Sequence, residues 1–192
     1  MKTAVEIFYP KNSAEWRTWL QNNHSTKDAI WLLQYKKKSA KPSISWSEAV
    51  DEALCFGWID SVRKTLEEET FVQFFSKRKP GGTWSKINKE KIKLLTAGGQ
   101  MAEAGLRSMK LAQENGSWSI LNEVDSLTIP PDLFSAFNEE NGDKEYFLSL
   151  SNSTKKAILQ WLVLAKKPET RQKRIDEVVA FAAMKMKPKH LR

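Results

Sequence analysis

The sequence predicts an α+β protein: a small, mostly antiparallel sheet with packed helices in residues 1–118, followed by a C-terminal helical region with a linker in residues 119–192. Three observations carry that prediction. Short apolar runs bounded by charged or turn-forming residues occur at 29–35, 58–65 and 70–75, with the length and composition of strands. Between them, apolar residues recur at three- and four-residue spacing, as helices with one buried face require. Beyond the irregular stretch from Trp118 to Pro130-Pro131, only the helical spacing returns.

Ser13 reads as the N-cap of a first helix carrying Trp16, Trp19 and Leu20, with Trp16 and Leu20 on one face. Ala29–Tyr35 (AIWLLQY) is a buried strand that runs into a loop, Lys36-Lys37-Lys38 and then Pro42. Ser45-Trp46-Ser47-Glu48 is a capping box, in which the Ser hydroxyl and the Glu carboxylate satisfy each other's backbone donors. The helix it opens turns Ala49, Val50, Ala53 and Leu54 inward, and Gly57 supplies the left-handed residue that ends it. Trp58–Thr65 and Thr70–Phe75 form a hairpin whose tip, Glu67-Glu68-Glu69, wants solvent. After Pro80-Gly81-Gly82, residues 83–97 are helical with Ile87, Leu94 and Leu95 inward, and Gly98-Gly99 stops them. A helix from Met101 to Asn115 sets Met101, Gly105, Met109 and Ala112 on one narrow face, where the small residues favour close packing. The tail holds a short helix near Leu133, then residues 154–166 with Ile158, Trp161, Leu162 and Ala165. A last helix after Pro168 turns Ile175, Val178, Val179 and Ala182 inward.

Composition narrows the function classes. Cys55 is the lone cysteine, which excludes an intramolecular disulfide and suits a reducing compartment. With it, His24 and His190 show no zinc-ligand spacing, so no metal site is expected. Neither a Walker pattern nor Gly-x-Gly-x-x-Gly is present, and no cofactor is expected. No apolar run has the length of a transmembrane helix, and the opening residues Met1–Glu6 carry no apolar leader, so the chain reads as cytoplasmic. Residues 151–192 hold eleven Lys and Arg against three Asp and Glu, and therefore the whole net charge of +8. That basic tail could attract nucleic acid, an acidic protein or anionic lipid headgroups, beside its preferred reading as a solvated helix face; its charges form no obvious stripe and no nucleic-acid motif accompanies them, so nucleic acid is not expected. The oligomeric state is left open.

One constellation could carry chemistry. A hairpin turning near Glu67-Glu68 places Asp60 opposite Ser76 and Trp58 opposite Arg78, with Trp58 and Asp60 on one face. Asp60 and Arg78 are then diagonal neighbours and candidates for an ion pair. Asp60 is either a general base or a carboxylate neutralised by Arg78, the second being preferred. The basic segment Lys77-Arg78-Lys79-Pro80-Gly81-Gly82, running into a helix, is a weak anion-site signal beside its reading as a plain turn. Trp84 and Asn88, four apart, could supply a stacking wall and an orienting amide. Cys55 falls near a helix C-terminus among apolar neighbours, where the dipole opposes a thiolate, so Cys55 and Gly57 are read as structural. Trp58, Asp60, Arg78, Trp84 and Asn88 are the ligand-binding candidates, and Asp60 is the candidate catalytic residue.

These motifs resemble a known family. ALCFGWIDS at 53–61, FFSKRKPGGTWSKIN at 74–88, AGGQMAEAGL at 97–106 and LQWLVLAKKPETRQKRI at 159–175 are similar to the YdeI/OmpD-associated, or bacteriocin-protection, family of small bacterial proteins. The resemblance covers nearly the whole chain, with one departure: Ser76-Lys77-Arg78 stands where such proteins often read Ser-Pro-Arg. It implies an association with resistance to antimicrobial peptides and bacteriocins and with an outer-membrane porin, and it brings no established catalytic residues. Two functions are compatible with all of this. The preferred one is a cytoplasmic stress or bacteriocin-protection protein, not an enzyme, that binds a small ligand or a protein or peptide partner in a Trp-lined cleft. The alternative is an enzyme acting on a small anionic substrate through Asp60 and Arg78.

Overall fold

In the computed structural model, which describes residues 5–137 and 141–191, the alternation in AIWLLQY decides which face of the sheet is covered. The order of elements is β1 (Ile7–Phe8), α1 (Ser13–Asn23), β2 (Ala29–Tyr35), α2 (Trp46–Cys55), β3 (Trp58–Thr65), β4 (Thr70–Lys77), α3 (Lys86–Ala97) and α4 (Glu103–Glu114). The strands form one sheet in the order β1-β2-β4-β3. Ile30, Leu32 and Gln34 of β2 are buried, and their cross-strand partners Phe75, Gln73 and Phe71 share that face. Against it sit Trp16 and Leu20 of α1 and Ala49, Val50, Ala53 and Leu54 of α2.

The protein is α+β with a helical C-terminal region, as predicted, but the sheet is mixed rather than mostly antiparallel. β2–β4 and β3–β4 are antiparallel, whereas β1 lies parallel to β2. The cause is α1, which returns the chain across the sheet and lays the second strand down in the direction of the first.

Individual elements follow from local chemistry, with small shifts. The first helix is capped by Asn12, not Ser13; its side chain accepts from the Glu15 N–H at 3.0 Å. Trp16 is fully buried, and its indole N–H donates to the Ala49 carbonyl at 3.0 Å, so one side chain both fills the core and fixes α1 on α2. The Ser45/Glu48 capping box of α2 is present in both directions. Gly57 has φ +72°, and a Cβ there would lie 3.1 Å from the Ala104 carbonyl oxygen. α3 has a different inward face from the one its spacing suggests. Ile92 and Leu95 are buried, while Ile87 and Leu94 are exposed. Lys91 anchors that orientation, donating to Asp51 at 2.6 Å and to Ser47 at 2.8 Å on α2. α4 buries Gly105 and Ala112, and its approach to α2 is so close that a Cβ on Gly105 would stand 2.2 Å from the Cys55 carbonyl oxygen.

By contact the chain divides into two units, Met1–Trp118 and Ser119–Arg192. The second contains α5 (Asn122–Asp125), α6 (Pro131–Ala136), α7 (Asp143–Ser149), α8 (Asn152–Val163) and α9 (Pro168–Ala183). Its core joins Leu133, Phe147, Ile158, Leu162, Ile175 and Val178. Arg171 of α9 grips Asp132 of α6 through two bonds, at 2.5 and 2.8 Å, and caps the Leu162 carbonyl of α8 at 3.1 Å.

Candidate functional site

The hairpin that was expected to assemble the site carries a bulge. Near the tip, Arg63 pairs with Gln73, Lys64 with Val72 and Thr65 with Phe71, the register that a turn around Glu68 implies. Between Asp60 and Arg63, β3 spends one residue more than β4, so towards the base Asp60 faces Phe75, Ile59 faces Ser76 and Trp58 faces Lys77. Arg78 falls past the end of the ladder, where its backbone N–H donates to the Gly57 carbonyl at 2.9 Å.

This slip separates the two charges proposed as partners, and no ion pair joins Asp60 to Arg78. Arg78 instead lies over the Trp84 ring, its Cζ 3.5 Å from the centroid, and donates from Nη1 to the Thr83 carbonyl at 3.1 Å. Burial pushes its guanidinium down to about 10, and the Asp60 carboxylate offsets part of that at longer range. Trp84 is buried and tilts against Trp118 at 5.0 Å. It precedes the helix rather than sharing a face with Asn88, because Ser85 is the N-cap and receives the Asn88 backbone N–H at 3.2 Å. Trp58 is fully buried, with its indole N–H 3.4 Å from the His24 carbonyl. Cys55 is buried, and that burial pushes its thiol pKa up, against the effect of a hydrogen bond from Arg17. In the basic loop, Lys77 is engaged by Asp28 and by the Ser25 carbonyl, each at 2.9 Å.

Asp60 has a different partner. Its Oδ2 accepts from the Trp46 indole at 2.9 Å and from Gln73 Nε2 at 3.3 Å. Trp46, the first residue of α2, is 47% exposed. It lines a pocket of about 450 Å³ at the tip end of the sheet, enclosed by the end of β2, the 36–45 loop and the hairpin.

The pocket is built from Gln34, Tyr35, Lys36, Lys37, Ser39, Lys41, Ser43, Ile44, Ser45, Trp46, Arg63 and Phe71. Gln34 is 1% exposed, and its Nε2 donates to the Ile44 carbonyl at 2.9 Å, which fixes the amide with Oε1 as the remaining atom. That Oε1 is buried and has no hydrogen-bond partner among the described residues. Arg63 lies over Phe71, with Cζ 3.6 Å from the ring centroid. Lys36 donates to the Glu68 carbonyl at 2.6 Å and so ties the loop to the hairpin tip. Lys41 donates to the Tyr35 hydroxyl at 3.2 Å, an arrangement that raises the pKa of its ammonium. Ser43 Oγ receives the Tyr35 backbone N–H at 2.9 Å. The loop is thus tied at several points before any ligand arrives.

Sequence reasoning passed over Gln34, Trp46, Arg63 and the loop lysines. One signal was legible: Gln34 takes the third inward position of a strand whose other two are Ile30 and Leu32, and a buried polar group is the informative exception in such a pattern. Two further grooves lie on the same unit. One, of about 580 Å³, runs along Phe8 and Trp19; the other, of about 520 Å³, lies between Ile92 and Trp118. Neither holds a buried unpartnered polar side chain. Trp58, Arg78, Trp84 and Asn88 line none of the three. Among the described residues, no group of three or more His, Cys, Asp or Glu could hold a metal ion, and no helix is long and apolar enough to cross a membrane.

Comparison with known families divides the chain along similar lines. Residues 8–108 match the family model described as a domain of unknown function (DUF8412), and the whole pocket lies within that span. Residues 126–184 match the model described as bacteriocin-protection, YdeI or OmpD-associated. No curated protein and no solved structure matches the chain.

Proposed function

We propose, from its membership by residues 8–108 in a domain family of unknown function and from the match of residues 126–184 to the bacteriocin-protection, YdeI or OmpD-associated model, that the chain is a cytoplasmic stress-protection protein whose N-terminal unit binds a small ligand beside Trp46. The observation that carries this reading is the buried Gln34 Oε1, an acceptor without a donor, at a pocket of about 450 Å³. An unsatisfied buried acceptor costs about 1–3 kcal/mol, and a ligand N–H or O–H would recover it. Small-ligand sites combine apolar walls with a few fixed polar groups, and here Trp46 and Phe71 supply the walls and Gln34 the polar point.

Asp60 is a positioning residue in this reading. Its bond to the indole N–H fixes the Trp46 ring at the pocket edge. The enzymatic alternative needs Asp60 and Arg78 on one substrate, whereas Arg78 is occupied by Trp84 and Thr83. A cytoplasmic setting is supported by the lone Cys55, a buried free thiol.

A thermal-shift screen of a neutral small-molecule library against the wild type and Gln34→Met tests the proposal. Compounds that raise the Tm of the wild type should lose that effect in the variant, which keeps the side-chain volume and removes the acceptor. Equal stabilisation of both proteins by every hit would place binding elsewhere.

A further inference from the structure

Resting on that pocket reading, we infer that the ligand is an anion: a phosphate- or carboxylate-bearing small molecule that also carries a hydrogen-bond donor. Gln34 lines the pocket, and the buried Oε1 of that side chain, without a hydrogen-bond partner among the described residues, accepts only a donor. The pocket is also lined by Lys36, Lys37, Lys41 and Arg63, and no carboxylate lines it.

The cations are not neutralised in place. Lys36 spends a donor on the Glu68 carbonyl and Lys41 one on the Tyr35 hydroxyl; these are neutral acceptors, and both ammonium groups keep their charge. Arg63 stacks on Phe71, and among the described residues no ion pair engages it. A guanidinium over a ring keeps N–H groups that can bind a carboxylate or phosphate through two bonds. Three nearby acids keep their charge too, because their donors are neutral: Glu69 accepts from Ser39 at 3.0 Å and attracts the Lys41 ammonium, Glu48 closes the capping box on Ser45, and Asp60 holds the Trp46 indole. None of the three lines the pocket. An anion entering the pocket therefore meets four lining cations and no lining carboxylate, with Gln34, Trp46 and Phe71 in the same wall.

The test uses matched neutral and anionic probes on the full chain: adenosine with AMP, glucose with glucose 6-phosphate, and N-acetylglycinamide with N-acetylglycine. The readout is the Trp46 indole N–H resonance, assigned by its loss in Trp46→Phe. The anionic member of at least one pair should bind about tenfold or more tighter than its neutral partner, and that advantage should shrink several-fold between about 20 and about 300 mM NaCl. Preference for the phosphate pairs over the carboxylate pair, or the reverse, identifies the anion. Lys41→Gln with Arg63→Gln should erase the advantage, with the Tm falling only by about a few degrees from the lost stack on Phe71 and the lost tie to Tyr35. Neutral members that bind as tightly as their anions overturn the inference and leave the pocket reading intact. No Trp46 response to any probe also overturns it, and the neutral-library screen then decides the pocket reading separately.

Discussion

The Trp46 indole N–H donates to Asp60 Oδ2 at 2.9 Å, joining the first residue of α2 to a carboxylate fourteen positions later on β3. The bond converts a half-exposed ring into a fixed wall. It also gives the Asp60 carboxylate a task unlike acid–base chemistry. Asp60→Ala should cost about 1 kcal/mol of stability, toward the low end for a hydrogen bond to a charged group because the pair is solvent-accessible. It should also move the Trp46 indole N–H resonance markedly upfield. Asp60→Asn keeps an acceptor oxygen and should shift that resonance far less. Urea denaturation and a ¹⁵N spectrum of each variant check both effects.

Arg78 and Trp84 form a second tie, past the base of the hairpin. Arg78→Ala removes the stack on Trp84 and the bond to Thr83, and should cost about 2 kcal/mol. Arg78→Met should cost less than Arg78→Ala, because both remove the buried charge but Met keeps part of the contact with the ring. If Arg78 were instead an ion-pair partner of Asp60, Met and Ala would cost the same, so equilibrium unfolding of the two variants separates the accounts.

Gly105 is required by the approach of α4 to α2. Its absent Cβ would meet the Cys55 carbonyl oxygen at 2.2 Å and the carbonyl carbon at 2.7 Å, both backbone atoms that cannot rotate away. Gly105→Ala should destabilise by about 3 kcal/mol or more, at the upper end for overpacking. Gly81→Ala is the internal control: nothing lies within 4 Å of its Cβ position, and the Tm should stay within a degree or two of the wild type.

Acid should act on the C-terminal unit through Asp132. The Arg171 guanidinium holds that carboxyl below its ordinary range. A carboxylate whose folded pKa lies below its unfolded value adds stability above the unfolded pKa, about 3.9, and loses it as pH falls through the folded value. Both side chains are partly exposed, so the contribution at neutral pH should be under about 1 kcal/mol. Asp132→Asn should therefore flatten the fall in stability below about pH 4, measured by urea denaturation at low salt. A wild-type acid profile in the variant would show that another carboxylate governs it.

Much of the fold was legible because it is written locally. Ser45 and Glu48 announce their helix within four residues, Gly57 ends it, and AIWLLQY has the strand's bounds on its face. What stayed hidden depends on distant parts of the chain. The extra residue between Asp60 and Arg63 leaves no local mark, yet it moves Arg78 off the ladder and undoes the proposed ion pair. The inward face of α3 is chosen by Lys91 reaching Asp51 and Ser47, so Ile87 and Leu94, well spaced as they are, face solvent. Trp46 read only as the residue after a cap, because nothing nearby in sequence points to Asp60. Gln34 was the exception, a polar residue in an apolar inward row that could have directed attention to the pocket from the sequence alone.

Three grooves described on the N-terminal unit each contain a different tryptophan: Trp19, Trp46 and Trp118. A ¹H–¹⁵N spectrum of the full chain, recorded as a binding compound from the library screen is added, therefore reports which groove is used. The account predicts that the Trp46 indole resonance and the Gln34 side-chain amide move together, and that both responses vanish in Gln34→Met and Trp46→Ala respectively. Saturable movement of Trp19 or Trp118 with Trp46 and Gln34 unchanged would contradict it.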